Sequence, residues 1–145
     1  MFSIRSIRVL GVALLATAAA GCSTSTDPDL KPTRADITIS GSTTVPLRLI
    51  VSTDFYETIN QLTGERGQVF NSADTLTVET LPYVSSVQLS DLGSVVVDLS
   101  NPSDTEATVR LQVAMDSGQS PYDQTAIMSQ GGALRFVFSY YSPTF

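Results

Sequence analysis

Residues 107–115 read Ala-Thr-Val-Arg-Leu-Gln-Val-Ala-Met. Ala107, Val109, Leu111, Val113 and Met115 recur at every second position, against Thr108, Arg110 and Gln112. A period of two places one set of side chains on one face of an extended strand and the other set on the opposite face. A helix would scatter the apolar set around its circumference. The segment must therefore be a strand with one face on a core and one in water, and any fold built from this chain has to supply that core.

The same period recurs along the chain. Ile37 and Ile39 alternate with Asp36, Thr38 and Ser40. Leu47, Leu49, Val51 and Phe55 form one face of a long strand, with Arg48, Ser52 and Asp54 opposite and Ile50 as the exception. Leu76 and Val78 start another strand, and Val84, Val87 and Leu89 indicate one after Pro82. Val95, Val97 and Leu99 alternate with Ser94, Val96 and Asp98; Leu134, Phe136, Phe138 and Tyr140 oppose Arg135, Val137 and Ser139. The expected inward face includes Val109, Leu111, Val113, Leu134, Phe136 and Phe138. Asn101-Pro102-Ser103-Asp104 is a turn, because proline presets φ and Asn and Asp bond their own backbone. Residues 55–63 fit two patterns. Asp54 to Glu57 has capping-box spacing and Phe55, Ile59 and Leu62 make a helical stripe, while Phe55, Tyr56, Thr58 and Ile59 favour a strand. The balance is weakly for strand.

Short strands joined by Gly, Pro, Asn and Asp turns, with no long helix, predict an all-β chain. At 145 residues there is room for one domain. The stretch VVVDLSNPSDTEATVRLQVAMDS resembles adjacent strands of immunoglobulin-like sandwiches. That resemblance implies a single immunoglobulin-like β-sandwich of about seven strands over residues 36–145, without the paired cysteines and core tryptophan of antibody domains: the chain has one cysteine and no tryptophan.

The cysteine, Cys22, closes a leader. Arg5 and Arg8 form a positive start, Val9 to Ala20 is uncharged and apolar, and the small residues Ala18 to Gly21 precede Cys22. An apolar run of this length suits a signal peptide better than a permanent membrane span. Ala-Ala-Gly-Cys at 19–22 resembles the lipobox of bacterial lipoproteins, with Ala19 where Leu is usual. The resemblance implies a signal peptide over residues 1–21, cleavage before Cys22, and acyl chains on that residue; Ser23, in place of an aspartate, implies delivery to the outer membrane. An ordinary secretory signal cut after Ala18 or Ala20 is the competing reading. Each buried CH₂ adds about 0.8 kcal/mol and one chain alone holds weakly, so several chains on one residue give a durable anchor. Residues 22–35, with two prolines, many hydroxyls and one leucine, read as a flexible tether.

The formal charge is −6, with a sequence pI near 4.3. Without Arg5 and Arg8, six cations face 14 acids, a formal charge of −8. Such a chain repels nucleic acid. Nucleophilic triads need a histidine and there is none. A Ser-Lys pair would need Lys31, the one lysine, which lies in the tether. The commonest zinc, iron and copper ligands are missing, and no metal or other cofactor is expected. Asp116 and Asp123 are the remaining candidates for calcium, but no calcium-loop spacing is present. A carboxylate pair acting on envelope polysaccharide is the enzyme alternative; scattered, solvated acids favour a chain that is not an enzyme.

The expectation is therefore a lipid-anchored binding or structural accessory module of a bacterial cell envelope, with the membrane as one partner and an envelope protein or glycan as the other. The segment from Asp116 to Gly132 reads as the longest loop, and long loops of compact domains carry contacts. Tyr122 and Asp123 are its candidate binding residues, within an exposed tip at Gly118 to Gln124. The competing reading makes Ile127 and Met128 part of a short edge strand.

Overall fold

The computed structural model describes residues 30–141. They form eight strands: β1 (Arg34–Ser42), β2 (Leu47–Ile59), β3 (Arg66–Val78), β4 (Tyr83–Gln88), β5 (Ser94–Ser100), β6 (Ala107–Met115), β7 (Tyr122–Met128) and β8 (Ala133–Ser139). Two four-stranded sheets result, in the orders β4-β1-β6-β7 and β3-β2-β5-β8, and every pairing is antiparallel. The β2–β3 and β6–β7 connections are hairpins within a sheet, and the other five pass from one sheet to the other. The chain is a β-sandwich, as the alternation requires.

The core lies between the sheets. From the first sheet come Ile37 and Ile39 of β1 with Val109, Leu111 and Val113 of β6; from the second, Leu49 and Val51 of β2 with Val95, Val97 and Leu99 of β5. Register explains the packing. Ile37 lies opposite Val113 and Ile39 opposite Leu111; Val97 lies between Val51 on one side and Phe136 on the other. Leu134, Phe136 and Phe138 pack against this cluster from β8 and remain partly exposed, because β8 is an edge strand. The central strand β5 buries Val96 too, on the opposite face from Val95 and Val97. At the end of β1, Gly41 has φ 126°, and a Cβ there would sit 2.2 Å from the Thr108 carbonyl oxygen, so only glycine permits the approach of β1 to β6.

Four details differ from the sequence-based expectation. The stretch 116–132 contains β7, which makes eight strands rather than about seven; its alternation is masked because Gln124 falls in the row of Tyr122, Ala126 and Met128. On β4, Tyr83 and Val87 pack against the core while Val84 points outward, since Val84 and Val87 differ by an odd number of residues. Leu76 and Val78, expected to start a strand, instead end β3, which begins at Arg66; residues 55–59 continue β2 as the strand that the sequence favoured, with irregular register around Asp54. Residues 60–65 form the hairpin turn, where the Asn60 side chain accepts from the amides of Leu62 and Thr63 and the Gly64 amide donates to the Asn60 carbonyl at 2.7 Å. Finally, the domain already includes Lys31 to Ala35: Pro32 is buried and Ala35 belongs to the core.

Asn101, fully buried, follows β5 and joins two turns. Its Nδ2 donates to the carbonyls of Thr105 (2.8 Å) and Met128 (2.9 Å), and its Oδ1 accepts from the Ser103 amide (3.0 Å). Its backbone amide donates to Gly132, and its carbonyl accepts from Gly131. The β5–β6 turn and the β7–β8 turn are thus held by one residue. Asn101→Ala is expected to destabilise the domain by roughly 2–4 kcal/mol, because two carbonyls and an amide lose their partner. Denaturant melts of wild type and variant measure it; a loss under about 1 kcal/mol would show that these turns hold without the side chain.

Leu111, buried at the centre of β6, gives the test of the core. Leu111→Met conserves volume and should lose less than about 1.5 kcal/mol. Leu111→Asp should abolish folding by burying an unpaired charge. Far-ultraviolet circular dichroism reads both, and a native spectrum from Leu111→Asp would contradict the placement of β6.

Candidate functional site

The pairing gives the sandwich two distinct ends. At one lie the β1–β2, β3–β4, β5–β6 and β7–β8 turns. At the other lie the start of β1, the β4–β5 turn, the β6–β7 turn and the end of β8. The β2–β3 hairpin projects from this second end: β2 pairs with β5 only as far as Ser52 opposite Val96, and continues to Ile59 paired with β3 alone. The chain that leads from Cys22 also reaches the domain here. Cys22 itself lies outside the described residues, as does the leader.

The start of β1 is fastened by Asp116, at the end of β6. The Thr33 amide donates to Asp116 Oδ1 at 2.9 Å, and the Thr33 hydroxyl donates to Oδ2. The Asp116 amide returns a bond to the Arg34 carbonyl, and the Leu89 amide bonds the Thr33 carbonyl at 2.8 Å. Partial desolvation raises the pKa of Asp116, but the Thr33 hydroxyl and amide, followed by Arg34, outweigh it and hold the carboxyl below its usual value. Lys31 donates from Nζ to the Asp91 carbonyl at 3.1 Å. In the β4–β5 turn Gly93 has φ 61°, and a Cβ on it would lie 2.9 Å from Lys31 Cγ and 3.2 Å from Tyr140 Cβ. Glycine there lets the incoming chain lie flat on the domain.

Tyr122 and Asp123 are in β7. The Tyr122 ring sits 5.2 Å from that of Phe136, tilted by 46°, and partial burial raises its pKa. Asp123 faces Arg110 on the neighbouring strand and accepts from Nε at 2.7 Å and from Nη2 at 2.6 Å, with Gln112 Nε2 at 3.0 Å. The Arg110 hydrogen bonds hold the Asp123 carboxyl below its usual pKa and raise that of the guanidinium. The turn between the hairpin strands is Asp116 to Pro121, so Tyr122 and Asp123 stand at its β7 end, and Ser117 in it is buried with an unpartnered hydroxyl. Asp116 and Asp123 are engaged with different partners and are not brought together. Among the described residues no cluster of three or more His, Cys, Asp or Glu side chains is positioned to hold a metal ion.

The end of the sandwich also gathers exposed apolar groups that the sequence reading does not bring together. Leu62, at the hairpin apex, is 96% exposed; Leu30, Leu92, Tyr56, Ile59 and Tyr141 are each about half exposed. Phe55, Tyr56, Leu92 and Tyr141 line a depression of about 200 Å³ with Glu57, Ser94 and Ser139. The signal in the sequence was slight: Leu30 and Leu92 each stand alone among polar turn residues, and Leu62 entered only through a helical stripe with Phe55 and Ile59 that the hairpin does not form. No protein-family model, no curated protein and no solved structure matches this chain.

Asp116→Asn tests the clamp. With the native pKa below that of the unfolded chain, the carboxylate adds stability that is complete above the ordinary Asp range near pH ~4 and is lost as pH falls through the native value. At neutral pH the substitution should lose about 1 kcal/mol, a modest figure because solvent screens the group. The difference in Tm between wild type and variant should be constant from about pH 5 upward and shrink as pH falls through the lowered native value. A difference that stays constant through acid would show that the charge of Asp116 contributes nothing.

Proposed function

We propose that this chain is a lipid-anchored binding or structural module of a bacterial cell envelope, held by acyl chains on Cys22 and displayed at the outer membrane. The observation that carries the reading is the order of the leader: Arg5 and Arg8, an uncharged run to Ala20, then Gly21 and Cys22. Two further observations support it. The folded domain begins within ten residues of Cys22, and its first residues are fastened to the sandwich by Asp116 and Lys31, so a pull on the tether is met by the domain rather than by a loose strand. The chain contains no histidine, and the two carboxyls with lowered pKa are committed to Thr33 and Arg110. Both are acceptors in structural bonds and are poorly suited to proton transfer near neutral pH. The partner beyond the membrane is an envelope protein or glycan.

Metabolic labelling with a palmitate analogue in a bacterial host tests the anchor. Wild type should be labelled and should sediment with the outer-membrane fraction; Cys22→Ala should be unlabelled and released from it. Label that survives the substitution would remove Cys22 from its role. Labelled protein found with the inner membrane would overturn the outer-membrane assignment alone.

A further inference from the structure

We infer that the end of the sandwich bearing the β2–β3 hairpin is a lipid-contacting face, whose Leu62 and Leu92 dip into the bilayer surface and orient the domain; the inference rests on the Cys22 anchor proposed above. Three observations bring it about. The first is the distribution of exposed apolar groups. Of the ten large apolar or tyrosine side chains exposed among the described residues, only Leu76, Val84 and Ile127 lie away from this end or its hairpin. Scattered exposure is ordinary, whereas gathering at one pole is not.

The second observation is reach. Eight residues separate Cys22 from Leu30, and a chain of that length spans at most about 28 Å. Leu30 itself lies at this pole. The hairpin extends past the level of Ser94 by some five residues of β2, or about 16 Å, before its turn begins. The apex therefore covers more than half of the greatest distance the tether can span. The opposite pole is a full strand length farther away.

The third is chemistry. The apex, Asn60-Gln61-Leu62-Thr63-Gly64, carries no charge; behind it Glu65 accepts from the Thr63 hydroxyl at 3.3 Å, and Glu57 and Arg66 face each other at 3.8 Å. Leu62 stands between Gln61 and Thr63, amide and hydroxyl side chains that suit a headgroup layer, Leu92 stands between Asp91 and Gly93, and tyrosines such as Tyr56 and Tyr141 are at home at that depth. A formal charge of −8 after the leader makes attraction to anionic lipid an unsuitable cause, so the contact is apolar.

The test uses full-length, lipidated protein in phosphatidylcholine vesicles with brominated acyl chains. Cys22 is blocked by its lipid, so Thr63→Cys gives a single free thiol beside Leu62 for a fluorophore, and Gln130→Cys gives one at the opposite pole. Quenching at position 63 but not at 130, reduced at least about threefold by Leu62→Asp with Leu92→Asp, is the expected result; loss of one leucine from an apolar site is worth of order tenfold in partition. Both leucines are exposed, so the double variant should keep the wild-type Tm and circular dichroism. A lipidated N-terminal peptide in the mass spectrum with no quenching at 63 overturns the lipid face and leaves the anchor intact. An unmodified Cys22 in the same spectrum overturns both. Shielding at 63 without bromine quenching, together with crosslinking between two copies, assigns the face to self-association instead.

Discussion

The placement of the last three strands depends on one buried amide. Asn101 leaves β5 at the point where the chain must cross to the opposite sheet, and its side chain is held on three sides before β6 begins. The bond to the Met128 carbonyl reaches the end of β7, and the backbone bonds to Gly131 and Gly132 reach the turn into β8. With a single cysteine the chain has no internal disulfide to staple its sheets, and hydrophobic contact alone is non-directional. A polar group with all its bonds satisfied supplies the direction that the apolar core lacks, and it is costly to misplace. Once Asn101 is seated, β6 and β8 start from fixed positions in opposite sheets, and Leu111 of one and Phe136 of the other both reach the shared core.

Much of this was legible in the sequence because period two is a strong signal wherever a strand is buried on one face only. β1, β6 and β8 were readable on that ground, and so was the Asn101 turn, whose Asx bond to Ser103 follows from local chemistry. What escaped was long-range. Nothing local shows that Asn101 also caps β7 and the following turn. Of β7 only the Ile127–Met128 end was weighed as an edge strand and the rest was read as loop, because an edge strand tolerates Gln124 in its inward row, and a polar residue at one inner position erases the alternation. The odd spacing of Val84 and Val87 misled in the opposite direction: both are good strand formers, and propensity carries no information about which face a residue occupies. The hairpin at 55–65 kept both readings open because a helical stripe and a two-sided exposed ribbon can share the same apolar positions.

The candidate site was less legible than the fold. Tyr122 and Asp123 were singled out as loop residues; their side chains are engaged with Phe136 and Arg110. The residues that distinguish one pole of the molecule, Leu30, Leu62 and Leu92, are isolated leucines some thirty residues apart in sequence. Only the pairing of β2 with β3 beyond the end of β5, and the seating of Lys31 against Gly93, bring them to the same end.

Fold economy gives a reason to take that pole seriously. Ile127 and Val84 are exposed on outward faces of edge strands, where a β-branched side chain still supports strand geometry. Leu62 has no such role. It sits in a turn closed by the Asn60 side chain and the Gly64 backbone, neither of which needs a leucine between them, and at 96% exposure it shields nothing. A polar residue there would serve the turn equally well and would remove apolar surface from water. The hairpin poses the same question at a larger scale. Beyond Ser52, β2 leaves the cover of β5, and after Phe55 none of its side chains is fully buried, although a shorter hairpin would close the same sheet. Strand length in excess of the core, an apolar apex and the arrival of the chain from Cys22 coincide at one pole. The pairing of β1 accounts for the last of these, whereas packing within the domain gives the first two no role, and the lipid contact inferred above gives them one.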